Sequence, residues 1–297
     1  MRDDTPSRTA RWVAAARGLA ALLPPEGRLA EDPYGAAFSS PVLANLLTRR
    51  PMRSLASMPG IRTWVIYMQV RTRVLDDAIR ELIAAGGRQV VLLGAGYDTR
   101  ALRLPELANA TVFEVDHPAT QRHKRATLER LGATSPARYV TWDFESRPMA
   151  ELPAALAAAG HDATKPTITI WEGVTMYLTE GAIDSSIRAI AQWSAPGSML
   201  AMTYFAQSRL DKPSIVTRAV QAVVSRLGEP WTWGWMPAEL PGYLAQRGFA
   251  LASDLSIMKA AHQLLPDALA DQLTSVDNHI ARAVVSESVA VARRSGG

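Results

Sequence analysis

The stretch "VVLLGAGYDTRALRL", residues 90 to 104, runs from apolar residues into a glycine-rich turn, and an acid, a threonine and an arginine follow at once. Gly94 and Gly96 stand where a strand should give way to a helix. Glycine there lets the backbone take unusual angles and lets a ligand come within van der Waals contact. A GxG pair alone also makes an ordinary structural turn, so the acids that follow carry the weight. "FEVDHP" ends a second apolar run with Asp116, twenty residues after Gly96, where a carboxylate can accept both hydroxyls of a ribose. The alternative is that Glu114 and Asp116 simply alternate across a strand end. "TWDF" ends a third run with Asp143, able to accept an adenine amino group, and Phe144, able to lie against the ring. "IWEG" ends a fourth with Glu172.

A dinucleotide fingerprint requires a third glycine to receive a pyrophosphate at the helix N-terminus. Thr99 holds that position, and Asp98 puts negative charge where the pyrophosphate would sit. Both features count against NAD and for a ligand without phosphates. An adenosine with a cationic tail fits the acids better, and S-adenosyl-L-methionine is that molecule: ribose, adenine, an amino acid and a sulfonium.

These groups meet only if strand ends bring them together. Short β-branched runs, "QVVLLG", "TVFEVD", "RYVTWD", "TITIWEG" and "SMLAMTYF", alternate with helical stretches, which predicts a parallel sheet covered on both faces. "FALASDL" and "ESVAVAR" are candidates for two further strands, making about seven. The fold class expected is α/β and Rossmann-like. Before the first strand, residues 63 to 85 form a long amphipathic helix ended by Gly86 and Gly87. Residues 1–62 read as a helical N-terminal cover, with a turn at Asp32-Pro33, and 63–297 as the main domain. A helical insertion is expected over about 206–247, after the fifth strand.

The chain of 297 residues has 48% hydrophobic and 20% charged residues, ordinary for a globular protein with a substantial core. No apolar run is long enough to cross a bilayer, and the N-terminus lacks the pattern of a signal peptide. Cysteine is absent, which excludes disulfides, a thiolate nucleophile and Cys-ligated metal. The net charge of +4 is dispersed and does not interleave with aromatics, so no nucleic-acid partner is expected. The expectation is a cytoplasmic protein, monomer or homodimer, that acts on a small molecule without a membrane partner.

"LLGAGYDTRALRL", "FEVDHP", "TWDFE" and "WEGVTMYLTEGAI" occur together and in order, and the chain resembles the leucine carboxyl methyltransferase family over roughly residues 10 to 292. That family of class I S-adenosylmethionine-dependent enzymes includes bacterial polyketide O-methyltransferases. The resemblance implies that Arg71 in "MQVRTRVLDD" pairs with the cofactor carboxylate, Arg73 being the other match. It implies that Gly94 and Gly96 pass under the methionine moiety, Asp116 holds the ribose, and Asp143 and Phe144 hold the adenine. Glu172 would lie near the methionine amino group or the sulfonium, and Tyr177 would face the substrate.

Methyl transfer is an in-line displacement, in which positioning and exclusion of water supply most of the acceleration. A carboxylate acceptor needs no base, whereas a phenol, with a pKa near 10, benefits from one. Of five histidines, His117 should sit near the adenosine, while His123 and His161 read as surface. His262 and His279 lie late enough to approach the acceptor, His262 as the candidate catalytic group, although packing or surface roles compete for both. No metal-ligand pattern is seen, and no His–acid pair stands out. For the acceptor site the candidates are Trp231, Trp233 and Trp235 in "EPWTWGWMPAEL", where alternation would put all three on one face, with Tyr204 and Tyr34. Arg17 or Arg209 could hold an acceptor carboxylate. The favoured function is O-methylation of a small aromatic or polyketide-type molecule at a carboxylate. A hydroxyl acceptor, a peptide C-terminus, a non-catalytic scaffold and a dehydrogenase are the alternatives.

Overall fold

Every residue of β1 (Gln89–Leu93) is buried, as a strand covered on both faces must be. Its side chains alternate: Val90 and Leu92 enter one core, Val91 and Leu93 the other. The computed structural model describes residues 7–39, 58–213, 217–218, 221–222, 225 and 230–286. The strands that follow are β2 (Thr111–Asp116), β3 (Arg138–Thr141), β4 (Thr167–Trp171), β5 (Met199–Phe205), β6 (Phe249–Ser256) and β7 (Asn278–Val285). They form one sheet of order β3-β2-β1-β4-β5-β7-β6. The strands from β1 to β5 pair in parallel, and β7 runs antiparallel between β5 and β6.

The chain winds from β1 outward to β3, then returns to the other side of β1 with β4. The point where strand order reverses leaves a crevice at the C-terminal ends of β1 and β4. Leu92 pairs with Ile170, so Gly94 and Glu172 leave the sheet side by side.

On the N-terminal side, α1 (Arg8–Gly18) is capped by Ser7, whose hydroxyl accepts from Ala10 N. The long helix α2 (Pro59–Ala84) starts four residues before its predicted boundary, with Pro59 at its first turn, and gives way to Gly86 at φ +93°. Further helices are α3 (Pro118–Arg130), α4 (Leu152–Ala158), α5 (Glu180–Trp193), α6 (Leu240–Ala245) and α7 (Ile257–Leu264). One face of the sheet packs α2 and α7 through Val65, Ile79, Ile257 and Ala261. The other packs α4, α5 and α6 through Leu152, Ile187, Trp193 and Leu244.

The seventh strand differs from expectation. It is "NHIARAVV", and the expected "ESVAVAR", residues 287–293, lies outside the described residues. Its register with β5 accounts for it: Met202 opposite Ala281 and Leu200 opposite Ala283 set apolar side chains into one core. Much of the expected helical insertion, and residues 40–57 of the expected cover, also fall outside the described residues. His161 is buried rather than at the surface, with its Nε2 2.9 Å from Thr167 Oγ1.

Candidate active site

The turn after β1 is built by two left-handed glycines, Gly94 at φ +69° and Gly96 at φ +52°. A Cβ on Gly94 would lie 2.7 Å from Val174 Cγ2, so even alanine would collide there. Gly96 N donates to Asp116 Oδ2 at 2.6 Å, and His117 N donates to Asp116 Oδ1 at 2.7 Å. Burial pushes the Asp116 carboxyl above the ordinary carboxylate range, against the pull of these two amides. Each carboxylate oxygen retains a lone pair for a hydroxyl donor. His117 itself caps α3, its Nδ1 accepting from Ala119 N.

Beneath the turn lies a buried charge network that pattern reading missed. Arg71 Nε donates to Glu172 Oε1 at 2.7 Å, and Arg100 Nη1 donates to Glu172 Oε2 at 2.8 Å. Arg100 also pairs with Asp98, and its Nε donates to Asp76 at 2.7 Å. Arg103 bonds the same Asp76. Three arginines therefore face three carboxylates, and the cluster is neutral as a whole. Burial alone would raise the Glu172 carboxyl, but Arg100, Arg71 and Arg17 outweigh it and hold the group far below the usual range. Asp98 is likewise lowered, because Arg100 and Arg17 overcome its burial. Arg100 was visible in "DTRALR", but nothing local assigned it a partner. Arg73, the other match to the family arginine, pairs with Asp77 on a half-exposed helix face, which leaves Arg71 as the residue at the strand ends.

Asp143 accepts from Glu145 N at 3.0 Å and from Ser146 Oγ at 2.8 Å, and these bonds lower its pKa. Phe144 lines a cleft of about 370 Å³ with Leu93, Trp171, Val174 and Leu178. Tyr177 sits in the loop after β4, half-buried.

Several candidates for the acceptor side take other roles. Arg17 Nε donates to Asp32 at 2.9 Å and its Nη2 to Tyr97 O at 2.5 Å, so Arg17 fastens α1 to the glycine turn. Tyr34 packs with Ala14, Phe38 and Tyr97 in the same cover. Tyr204 is 1% exposed, and its hydroxyl donates to Asp254 Oδ2 at 2.6 Å. His262 lies on α7, half-exposed, facing Asp267 and Asp271 at 3.5 and 3.6 Å.

Two of the three tryptophans, Trp233 and Trp235, share a face, their rings edge to face at 6.2 Å on one cleft, and Trp231 stands apart. Trp231 meets Phe205, Trp233 lines an open cleft beside Tyr243, and Trp235, 3% exposed, enters the core against Tyr204. The loop is laid along β5: Trp235 N donates to Phe205 O, and Gln207 N donates to Trp235 O. Gly234 permits this approach, since a Cβ would stand 2.7 Å from Phe205 O. A His–acid pair also emerges that spacing did not show. His279 Nδ1 is 3.0 Å from Asp254 Oδ1, across the β6–β7 pairing, and its ring stacks on Tyr204.

The sheet order, with a glycine turn and strand-end acids at its switch point, defines the class I methyltransferase fold. A protein of the DUF574 family from Streptomyces avermitilis shares it with a TM-score of 0.58, over 91% of this chain and 97% of that one, at 18% identity. Residues 10–191 match the family described as leucine carboxyl methyltransferase, and the chain belongs to that family. A relative from Mycobacterium marinum, named as an S-adenosyl-L-methionine-dependent methyltransferase, is 33% identical over 91% of this chain and 88% of its own length. One from Mycobacteroides abscessus with the same name is 43% identical, over 65% of this chain and 62% of that protein. The protein is an S-adenosylmethionine-dependent methyltransferase.

The residues fit that cofactor. Arg71 and Glu172 offer opposite charges at one strand end to a zwitterionic amino acid. Gly173, at φ +70°, removes a side chain beside the Arg71 guanidinium. Asp116 supplies buried acceptors for a diol. Among the described residues, no group of three or more His, Asp or Glu could hold a metal, and no helix is long and apolar enough to cross a membrane.

Proposed function

We propose that this methyltransferase acts on oxygen, at a carboxylate of a small aromatic or polyketide-type molecule, and gives a methyl ester. In this reading Arg71, Gly94, Gly96, Asp116, Asp143, Phe144 and Glu172 hold the cofactor, and Tyr177, Trp231 and Trp233 border the acceptor. The observation that carries it is the seat of the aromatic loop. Thr232 N donates to Met176 O at 2.7 Å, in the loop that follows Glu172, so the indoles stand at the ends of β4 and β5. Flat apolar walls with few polar groups suit a small aromatic ligand. Asp98 and Glu172 are held ionised by arginines and are poor bases, which favours an acceptor that has no proton to lose.

When bound, S-adenosylmethionine supplies a methyl group on a sulfonium. The carboxylate oxygen would form the new bond to the methyl carbon as the carbon–sulfur bond broke, its electron pair staying on sulfur. The protein's part is to orient the two and exclude water. Such an enzyme would serve secondary metabolism in the cytoplasm.

Methylation of a hydroxyl is the second reading. The His279–Asp254 pair favours it, because a carboxylate-held imidazole is the base a phenol requires. The test incubates the protein with methyl-labelled S-adenosylmethionine and matched acceptors, 1-naphthoate and 1-naphthol. Label released as methanol by mild alkali marks an ester and supports the first reading. An alkali-stable ether would transfer support to the second, and transfer to a peptide C-terminus alone would overturn both.

A further inference from the structure

Arg17, Arg71, Arg100 and Arg103 each face a carboxylate within ion-pair distance. Arg209 does not: among the described residues no acid lies within ion-pair distance of it, and the Asp277 charge acts on it only from farther off, although it is half-buried. It lies just beyond the end of β5. Its guanidinium carbon is 4.7 Å from the centre of the Phe205 ring and 5.2 Å from that of Trp231. Those two rings meet edge to face at 4.7 Å. Nη1 reaches only a hydroxyl, Ser275 Oγ, at 3.3 Å. Arg209 Nε is buried with no acceptor, and so is Nε1 of Trp231. Two adjacent side chains thus hold unmet donors.

A guanidinium gripped by aromatic faces keeps its in-plane N–H groups for a ligand. An unpaired cation in such a setting is costly, and burial lowers the Arg209 pKa accordingly. What satisfies it must be anionic and must only accept hydrogen bonds. A carboxylate has both properties. The position is also suitable. Tyr67 and Asp277 both act electrostatically on Arg209, and the Tyr67 ring lies under Arg71 at 5.5 Å. Gly173 N donates to Thr203 Oγ1 at 2.8 Å, which ties the β4 loop to the end of β5.

We propose that Arg209, with Trp231 beside it, is the carboxylate anchor of the acceptor site, and that the acceptor class is therefore aromatic carboxylic acids. This rests on the carboxylate-methylating reading above and adds the residue that would hold the acceptor's carboxylate. A bidentate, charge-assisted contact separates an acid from its neutral isostere by tenfold or more.

The experiment titrates 1-naphthoate and neutral 1-naphthamide into the full chain saturated with S-adenosylhomocysteine, and follows binding by calorimetry. Naphthoate should bind at least about tenfold more tightly than the amide. Arg209→Gln should abolish that preference while leaving S-adenosylhomocysteine affinity unchanged. Arg209→Lys should restore part of it, and Trp231→Phe, which removes only the N–H and part of the ring, should reduce it several-fold. Equal affinity for acid and amide, no saturable binding of naphthoate, or undiminished naphthoate binding by Arg209→Gln would each overturn the anchor. The acid-to-amide comparison uses wild-type protein alone and stands even if a variant misfolds. Wild-type protein that fails to bind S-adenosylhomocysteine would instead remove the cofactor site beneath the proposal.

Discussion

Gly96 N donates to Asp116 Oδ2 at 2.6 Å, so the glycine turn after β1 and the acid that ends β2 form one hydrogen-bonded unit. Asp116 therefore shapes the turn, and in the proposed reading it also presents acceptors to the ribose. Asp116→Ala leaves the Gly96 and His117 amides unpaired, at a cost of about 1–3 kcal/mol each if they stay buried. We expect cofactor binding to disappear in calorimetry and the melting temperature to fall by several degrees. Wild-type affinity in a folded Asp116→Ala protein would remove Asp116 from the cofactor site.

Glu172 joins Arg71 and Arg100, and Glu172→Gln leaves Arg71 without its acid while Arg100 keeps Asp98 and Asp76. Breaking a buried pair this way costs about 3–5 kcal/mol. The pH dependence follows from the lowered carboxyl. A carboxylate whose folded pKa lies below its unfolded value near 4.3 contributes its full stability above that unfolded value. It loses the contribution as pH falls through the folded value. The stability gap between wild type and Glu172→Gln should thus stay flat from pH 8 to about 5 and close only in stronger acid. Denaturant midpoints across that range test it, and a gap already closing between pH 7 and 6 would contradict the ion pairs.

Gly94 combines a left-handed backbone with contact to Val174. Gly94→Ala meets two separable costs: about 1–2 kcal/mol for the backbone and about 1–3 kcal/mol for the collision. Adding Val174→Ala should relieve the collision but not the backbone term. The double variant should recover part of the lost stability relative to Gly94→Ala, after allowance for the measured Val174→Ala effect. Full recovery would mean that the turn is not strained for alanine.

The tryptophans should respond differently. Trp235 is core, and Trp235→Ala should cost about 3–5 kcal/mol with broad loss of function. Trp233 lines an open cleft, and Trp233→Ala should leave cofactor affinity intact while raising the acceptor KM. Unfolding curves and steady-state kinetics separate the two. An unchanged KM and kcat in Trp233→Ala would remove that residue from the acceptor site.

Residue order alone determined the strands from β1 to β6, the glycine turn and the acids at the strand ends, because these depend on neighbours a few residues away. β-branched runs favour extended backbone, and glycine alone enters the left-handed region cheaply. The family motifs are likewise contiguous. The last described strand was less legible, since nothing local in "NHIARAVV" announces a strand and its antiparallel register with β5 is what holds it. The partners of Arg100, the union of Arg71 with Glu172 across 101 residues, and the meeting of His279 with Asp254 were decided by the sheet order. So was the placement of Arg209 against Phe205 and Trp231. Whether a buried charge finds a partner depends on which strand ends become neighbours and on how much water they exclude, and neither property belongs to any local stretch of chain.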